Sequence, residues 1–415
     1  MNPELILSAA LLSIVCGCNA QATSSLAINE VETSGWECPD SSQAFHRLWT
    51  TMDSIQFHGT GNLTILYIGG SHVQGGWIGH ELRRFLSNWA PHAVLSRGMH
   101  LPYRIAQTNT PTHFRTQFEG NWTAAQCTRG NGQTPFESAP IATGLLAYPV
   151  DSTFIQHVSY LPDSSRTTCT SLEIWTNAEP RQWRWMGNAP LKSCSPLPSD
   201  LGWRLEFEFP ADTLAISFSA PHESELWYAG MNGRNSSSLA HITLHEWGHN
   251  GLRIRHTASH SGWLNLFQRI EPDLIFVGVG LNDAVDGELL NMKAFAHHYE
   301  KLTEVLSSSG AAVLLLGNTP AVHHERSLEV PSAAIGRWLR QHSQAKEMAY
   351  LDLTTALGGP NLTSEWVEDG LMQADGMHFT AEGYGAIASV LFETWMDSYS
   401  QTLKTSHSNK VGTVQ

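Results

Sequence analysis

Positive charge is scarce in this sequence. Its 415 residues hold 24 Lys and Arg against 38 Asp and Glu, a formal net charge of −14, with no basic run. Binding along a phosphate backbone needs a basic face, so a nucleic-acid partner is excluded. Charged residues of either sign make up only 15%, while hydrophobic residues reach 41%. That balance belongs to a chain that folds around a core, and 415 residues suit two domains better than one. Long apolar runs are scarce too: Leu5 to Val15 has the length of a signal h-region and is too short to span a bilayer. Cysteine is sparse, six in all, and none has CxxC metal or redox spacing. No internal repeat stands out.

Small and polar residues follow the apolar stretch, and "VCGC", ending at Cys18, resembles a bacterial lipobox. The expectation is an export signal over 1–18, with either a lipid on Cys18 or simple cleavage. The n-region, which carries Glu4 and no Lys or Arg, disagrees with it. Such a chain is periplasmic, cell-surface or secreted, and touches a membrane only through Cys18. Residues 19–40 read as a polar tether. Cys38, Cys127, Cys169 and Cys194 then remain, enough for two disulfides in an exported chain. Cys169 with Cys194 is the favoured local pair; buried free thiols are the alternative.

Two textures divide the rest. Residues 41–95 and 241–400 alternate strand and helix patterns. Ile65 to Ile68 is a continuous apolar run, as in a strand buried on both faces, and Ile78, Leu82, Phe85 and Leu86 form a helical stripe after it. "PDLIFVGVGLND", "AAVLLLGNTP" and "AYLDLT" continue the strands, and a last helix ends near residue 400, leaving 401–415 as a flexible tail. Alternation of this kind argues a parallel sheet covered on both sides. Residues 96–240 are instead rich in Pro, Gly, Ser and Trp, with short alternating runs such as "WRLEFEF" and "LAISFSA". They read as an inserted antiparallel β-sandwich.

Three short stretches fall where open α/β sheets place active sites, at strand carboxyl ends: "GGSH" (69–72), "GLND" (280–283) and "DGMH" (375–378). A Ser in a tight strand-to-helix turn is presented at the sheet edge with its N–H free. Asp375, three residues before His378, can orient that His as a base, and Asn282 offers an amide donor. Nucleophile, base, orienter and oxyanion donor are what acyl transfer requires.

On these residues the chain resembles the SGNH (GDSL-type) hydrolase superfamily, with Ser71, Asn282, Asp375 and His378 at that family's motif positions. The resemblance implies a flavodoxin-like three-layer α/β sheet of mostly parallel strands, here carrying a jelly-roll-like insertion. It implies catalysis by Ser71, Asp375 and His378, with an oxyanion hole from the N–H groups of Ser71 and Gly251 and the Asn282 amide. No metal or organic cofactor is implied. The long β-rich insertion and "SRGMHLPYRIAQTNTPTHFRT" further resemble exported bacterial members with a carbohydrate-binding-like module, several of which deacetylate polysaccharides or peptidoglycan. An acetylated glycan is therefore the implied partner. One departure stands out: the family's block I Asp is Gly70 here.

"HEWGHNG" (245–251) competes with this reading, since His245, Glu246 and His249 match the zinc-protease pattern H-E-x-x-H. That chemistry needs a helix. "LAHITLHEW" instead alternates, with Ile242 and Leu244 opposite His241, Thr243 and His245, and Gly248 and Gly251 break a helix early. The segment is expected as a strand leading to Gly251, 31 residues before Asn282. Within the insertion, Trp183 and Trp185 are the best candidates for sugar stacking, although most Trp in such sandwiches are core. His297–His298 and His323–His324 read as solvated. Two rival functions stay open: a glycan-binding relic in which Gly70 marks lost activity, and a lipid esterase or thioesterase.

Overall fold

In the computed structural model the described residues are 36–39, 42–129, 139–219, 226–236, 239–258 and 261–411, with side chains to 402. The export-signal reading, including Cys16 and Cys18, lies outside them.

The central sheet has six parallel strands in the order Ala349–Leu351, Ala312–Leu316, Leu274–Gly278, Asn62–Gly69, His241–Gly248 and Val94–Ser96. Side chains alternate along a strand, so each strand feeds two cores. Leu66, Ile68, Ile275, Val277, Val313 and Leu315 face one layer. Leu63, Ile65, Tyr67, Leu274, Phe276, Leu314 and Leu316 face the other, against the helices Gln43–Asp53, Trp77–Trp89 and Ala381–Val411. This is the buried-on-both-sides pattern that "LTILYI" announces. The first layer also takes in Met99, Leu101, Phe114, Leu145 and Trp175, so the antiparallel region and the parallel sheet share a core.

Residues between Met99 and Arg234 form two antiparallel sheets. One runs Leu191–Pro196, Gly202–Ala211, Cys169–Thr176, Tyr228–Arg234, Leu145–Pro149 and Trp122–Gln126, with Met99–His100 added on Tyr228–Arg234. The other runs Phe114–Glu119, Thr153–Ser159, Leu214–Phe218 and Trp183–Trp185. They enclose a third core built on Ile155, Leu172, Ile174, Leu205, Phe218 and Tyr228.

Four expectations need correction. Cys169 and Cys194 are free thiols. The strand Gly202–Ala211 lies between theirs, which puts them two strands, roughly 10 Å, apart and beyond disulfide reach. Trp183 and Trp185 do not present open faces. Both are half-buried against the sandwich core, Trp185 against Phe207 and Trp183 beside Trp203, and the Trp185 indole N–H donates to the Ala189 carbonyl at 2.8 Å. The tether reading stops short of Trp36, which is buried among Phe45, Trp49, Phe276 and Trp395. Next to it, Glu37 bridges to Tyr350 and so pairs an otherwise open sheet edge. The last helix runs on to Val411, into the segment read as a tail.

"HEWG" ends a strand, as its alternation requires, and His249 follows it. His241–Gly248 pairs in parallel with Asn62–Gly69, Leu66 opposite His245 and Tyr67 opposite Glu246. Glu246 is committed to a buried ion cluster, its Oε2 lying 3.0 Å from Arg83 and 2.9 Å from Arg97, with all three side chains at most 5% exposed. His245 is buried, and burial pushes its pKa down to about 3. Glu246→Ala leaves two buried guanidinium groups without their counter-ion. We expect it to cost roughly 3–5 kcal/mol of unfolding free energy, read by urea titration. A loss below about 1 kcal/mol would mean that solvent already screens the cluster.

Candidate active site

Ser71 opens a four-residue helix, Ser71–Gln74, directly after the Asn62–Gly69 strand. As first residue of a helix its N–H has no intrahelical acceptor. The strand-to-helix turn is tight: a Cβ at Gly69 would meet Val73 at 2.4 Å, and one at Gly248 would meet the Gln74 nitrogen at 2.2 Å.

His378 comes from the loop before the last helix, 307 residues away, and its Nε2 lies 3.0 Å from Ser71 Oγ. Its Nδ1 lies 2.7 Å from Asp375 Oδ2. The loop is built to hold that pair. Gln373 N–H donates to the His378 carbonyl, Thr380 N–H to the Leu371 carbonyl, and Gly376 takes the left-handed φ of 66° at the bend. Asp375 Oδ1 accepts the N–H groups of Met377 and His378, both at 2.9 Å, which is an Asx turn. Burial pushes the Asp375 carboxyl upward, but the hydrogen bonds from His378 and Met377 outweigh it and hold the group below its usual range. The carboxylate therefore stays ionised beside the imidazole.

Asn282 lies in the short helix Leu281–Ala284 after the strand Leu274–Gly278. A Cβ built on Gly70 would sit 3.0 Å from Asn282 Nδ2 and 3.9 Å from the His249 carbonyl oxygen. Gly70 thus packs closely against the Asn282 amide and the turn leading to Gly251. Leu252 N–H closes that turn on the His249 carbonyl at 3.0 Å. Gly251 occupies its left-handed position, φ 72°, where a Cβ would meet nothing within 4 Å. Asp283 fixes the far end by accepting the Ile254 N–H at 3.1 Å. The chain thus brings Ser71, His378, Asp375 and Asn282 together beside the Gly251 turn; Trp183 and Trp185 lie in the sandwich.

Two consequences can be measured. Gly70→Ala pushes a methyl against the Asn282 amide, and a misplaced donor costs roughly 10²-fold in kcat with little change in melting temperature. Unchanged kcat would mean that Asn282 gives way freely. The second concerns Asp283, whose carboxyl burial pushes up to about 6, partly offset by the Ile254 N–H. The folded protein then binds this proton more tightly than the unfolded chain, so the group's contribution to stability falls as pH rises from about 4 to about 6, by about 3 kcal/mol. Asp283→Asn removes that slope while keeping an acceptor for Ile254. Its melting temperature should exceed that of wild type at pH 7 and converge on it near pH 4. A wild-type slope in the variant would put the proton uptake elsewhere, as at Asp273, which burial also pushes up to about 6.

Two polar residues beside the site have no counterpart in the motif reading. The His72 ring packs 5.8 Å from His378, and its Nδ1 lies 3.1 Å from the Tyr384 hydroxyl. Burial foremost, then His378, pushes its pKa down to about 3, so it adds no charge next to the base. Gln74, one helical turn after Ser71, is buried. A polar residue placed on the buried side of the nucleophile's helix is the signal that could have found both.

The chain matches the model of the GDSL-like lipase/acylhydrolase family over residues 212–386, which include Gly251, Asn282, Asp375 and His378. Among solved structures it is similar to a peptidoglycan O-acetylesterase at 18% identity and a TM-score of 0.66, over 87% of this chain and 97% of that one. An acetylxylan esterase from Geobacillus stearothermophilus aligns at 14% identity and a TM-score of 0.32, over 37% of this chain and 72% of that one. A lipase/acylhydrolase from Enterococcus faecalis aligns at 21% and 0.28, over 37% and 74%. Comparison with curated proteins found no match. Among the described residues no helix is long and apolar enough to cross a membrane. Residues 212–386 thus carry a GDSL-like lipase/acylhydrolase domain, in a chain that shares its fold with the peptidoglycan O-acetylesterase.

Proposed function

We propose that this carboxylic ester hydrolase removes O-acetyl groups from a glycan, a cell-wall or plant-type polysaccharide, through an acyl-enzyme on Ser71. The observation that carries the reading is the hydrogen-bonded line Ser71 Oγ, His378 Nε2, His378 Nδ1, Asp375 Oδ2, at 3.0 and 2.7 Å. Ser71 Oγ attacks the acetyl carbonyl carbon while its proton passes to His378 Nε2. The carbonyl oxygen becomes an oxyanion between the Ser71 and Gly251 N–H groups and the Asn282 amide, each such donor contributing about 3 kcal/mol to the transition state. The carbon–oxygen bond to the sugar then breaks, and His378 returns the proton to that sugar oxygen. Water repeats the sequence, releasing acetate.

Substrate size supports a polymer. The side chains of Asp375 and His378 are 48% and 35% exposed, so the site opens at the surface, where a chain can lie across it. The similarity in fold to a peptidoglycan O-acetylesterase points the same way. The enzyme would act outside the cytoplasm, a reading that leans on the Leu5–Val15 stretch and on Cys18. The test is acetate release from acetylated xylan and O-acetylated peptidoglycan, set against cleavage of a long-chain p-nitrophenyl ester. Release from either polymer is the expected result. Rapid long-chain cleavage with no polymer release would favour a lipid esterase, and no turnover of any ester would favour a glycan-binding relic.

A further inference from the structure

We infer that Gln74 is a positioning residue: it locks the Gly251 turn to the Ser71 helix and makes the antiparallel insertion part of that alignment. The inference rests on the esterase reading above, in which the Gly251 N–H is an oxyanion donor. Gln74 is 1% exposed, and the three hydrogen bonds of its amide reach two segments far from its own helix. Its Oε1 accepts the Asn250 N–H at 2.6 Å. Its Nε2 donates to Thr108 Oγ1 at 2.8 Å and to the Asn109 carbonyl at 2.6 Å. The amide cannot be reversed, because only nitrogen can donate to the Asn109 carbonyl and only oxygen can accept from the Asn250 N–H.

Asn250 directly precedes Gly251, so anchoring its N–H fixes the peptide immediately before the one that carries the Gly251 N–H. Further contacts tighten the arrangement. The Thr112 N–H donates to the Gly75 carbonyl at 2.9 Å, and Asn250 Nδ2 reaches Thr108 Oγ1 at 3.4 Å. A helix turn carrying the nucleophile, a turn carrying the oxyanion donor and the entry segment of the insertion therefore converge on one buried side chain. A side chain needed only for packing would not require this pattern of acceptor and donors; an apolar side chain of similar size would fill the space.

Gln74→Leu keeps a side chain of similar volume there and removes all three bonds. We expect kcat on p-nitrophenyl acetate to fall roughly 30- to 100-fold with KM within about twofold, as for a donor displaced by a fraction of an ångström. Affinity for phenylboronic acid, whose tetrahedral adduct on Ser71 places an oxygen in the oxyanion site, should fall by a similar factor. Thr108→Val, in the insertion, should lower both by about threefold to tenfold, and adding it to Gln74→Leu should cost little more, since the two act through one network. Wild-type kcat and boronate affinity per folded molecule in Gln74→Leu would overturn the inference. If that variant does not fold, wild-type boronate affinity in Thr108→Val overturns it. Ser71→Ala separates the two readings: retained turnover there removes the esterase reading and this inference together, whereas lost turnover there with an unaffected Gln74→Leu removes this inference alone.

Discussion

Ser71→Ala should leave less than about one part in 10⁵ of wild-type acetyl-ester turnover, the scale seen when a triad serine is removed from a hydrolase. The loss follows from the geometry. Ser71 Oγ is the hydroxyl within 3.0 Å of His378 Nε2, and without it the imidazole has no oxygen to activate but that of water. The residual rate would come from the oxyanion donors, which the substitution leaves in place. Stability should hardly change, because Ser71 is half-buried at a helix start where alanine is tolerated and no other bond of its hydroxyl is lost. Acetate release, read beside the melting temperature, checks both halves. Turnover above about 1% of wild type with an unchanged melting temperature would mean that another group carries the attack.

Much of this site is legible in sequence because its parts are local. "GGSH" and "GLND" each combine a strand end with a turn residue and present Ser71 and Asn282 at the carboxyl edge, whereas "DGMH", read as a strand end too, is a turn between two helices that carries His378 to the same edge. The period-two alternation of "LAHITLHEW" likewise distinguishes a strand from a zinc-binding helix, and the strand forms in register with Asn62–Gly69. What escapes such reading depends on partners far along the chain. Cys169 and Cys194 are close in sequence, yet Gly202–Ala211 folds back between their strands. Trp183 and Trp185 alternate like an exposed face, but Phe207 and Trp203 come to cover them. Gln74 looks like any polar helix residue until Thr108, Asn109 and Asn250 converge on it. The Gly70 departure also gains a local reason in three dimensions: a Cβ there would lie only 3.0 Å from Asn282 Nδ2.

Asp375→Asn should lower kcat by roughly 10⁴-fold while leaving the fold and the Ser71–His378 distance intact, as when the orienting carboxylate of a serine hydrolase is made an amide. Two features of the loop decide how. Asp375 Oδ1 accepts the backbone N–H groups of Met377 and His378, and an asparagine keeps those bonds by placing its carbonyl oxygen there. The amide nitrogen is then obliged to face His378 Nδ1, where a carboxylate oxygen stood at 2.7 Å. An N–H aimed at Nδ1 favours the tautomer with that nitrogen bare and the proton on Nε2. Nε2 is the atom that must accept from Ser71, so the base is blocked by its own proton rather than displaced. Asp375→Ala behaves differently: it empties the position, releases the Asx turn and frees the tautomer, so its fall in kcat should come with a lower melting temperature. Crystals of Asp375→Asn with the loop in place and kcat reduced at least about 10³-fold would support tautomer control. A loss under tenfold would mean that His378 finds its tautomer without the carboxylate, and the His72–Tyr384 pair packed behind the ring would be the first place to look.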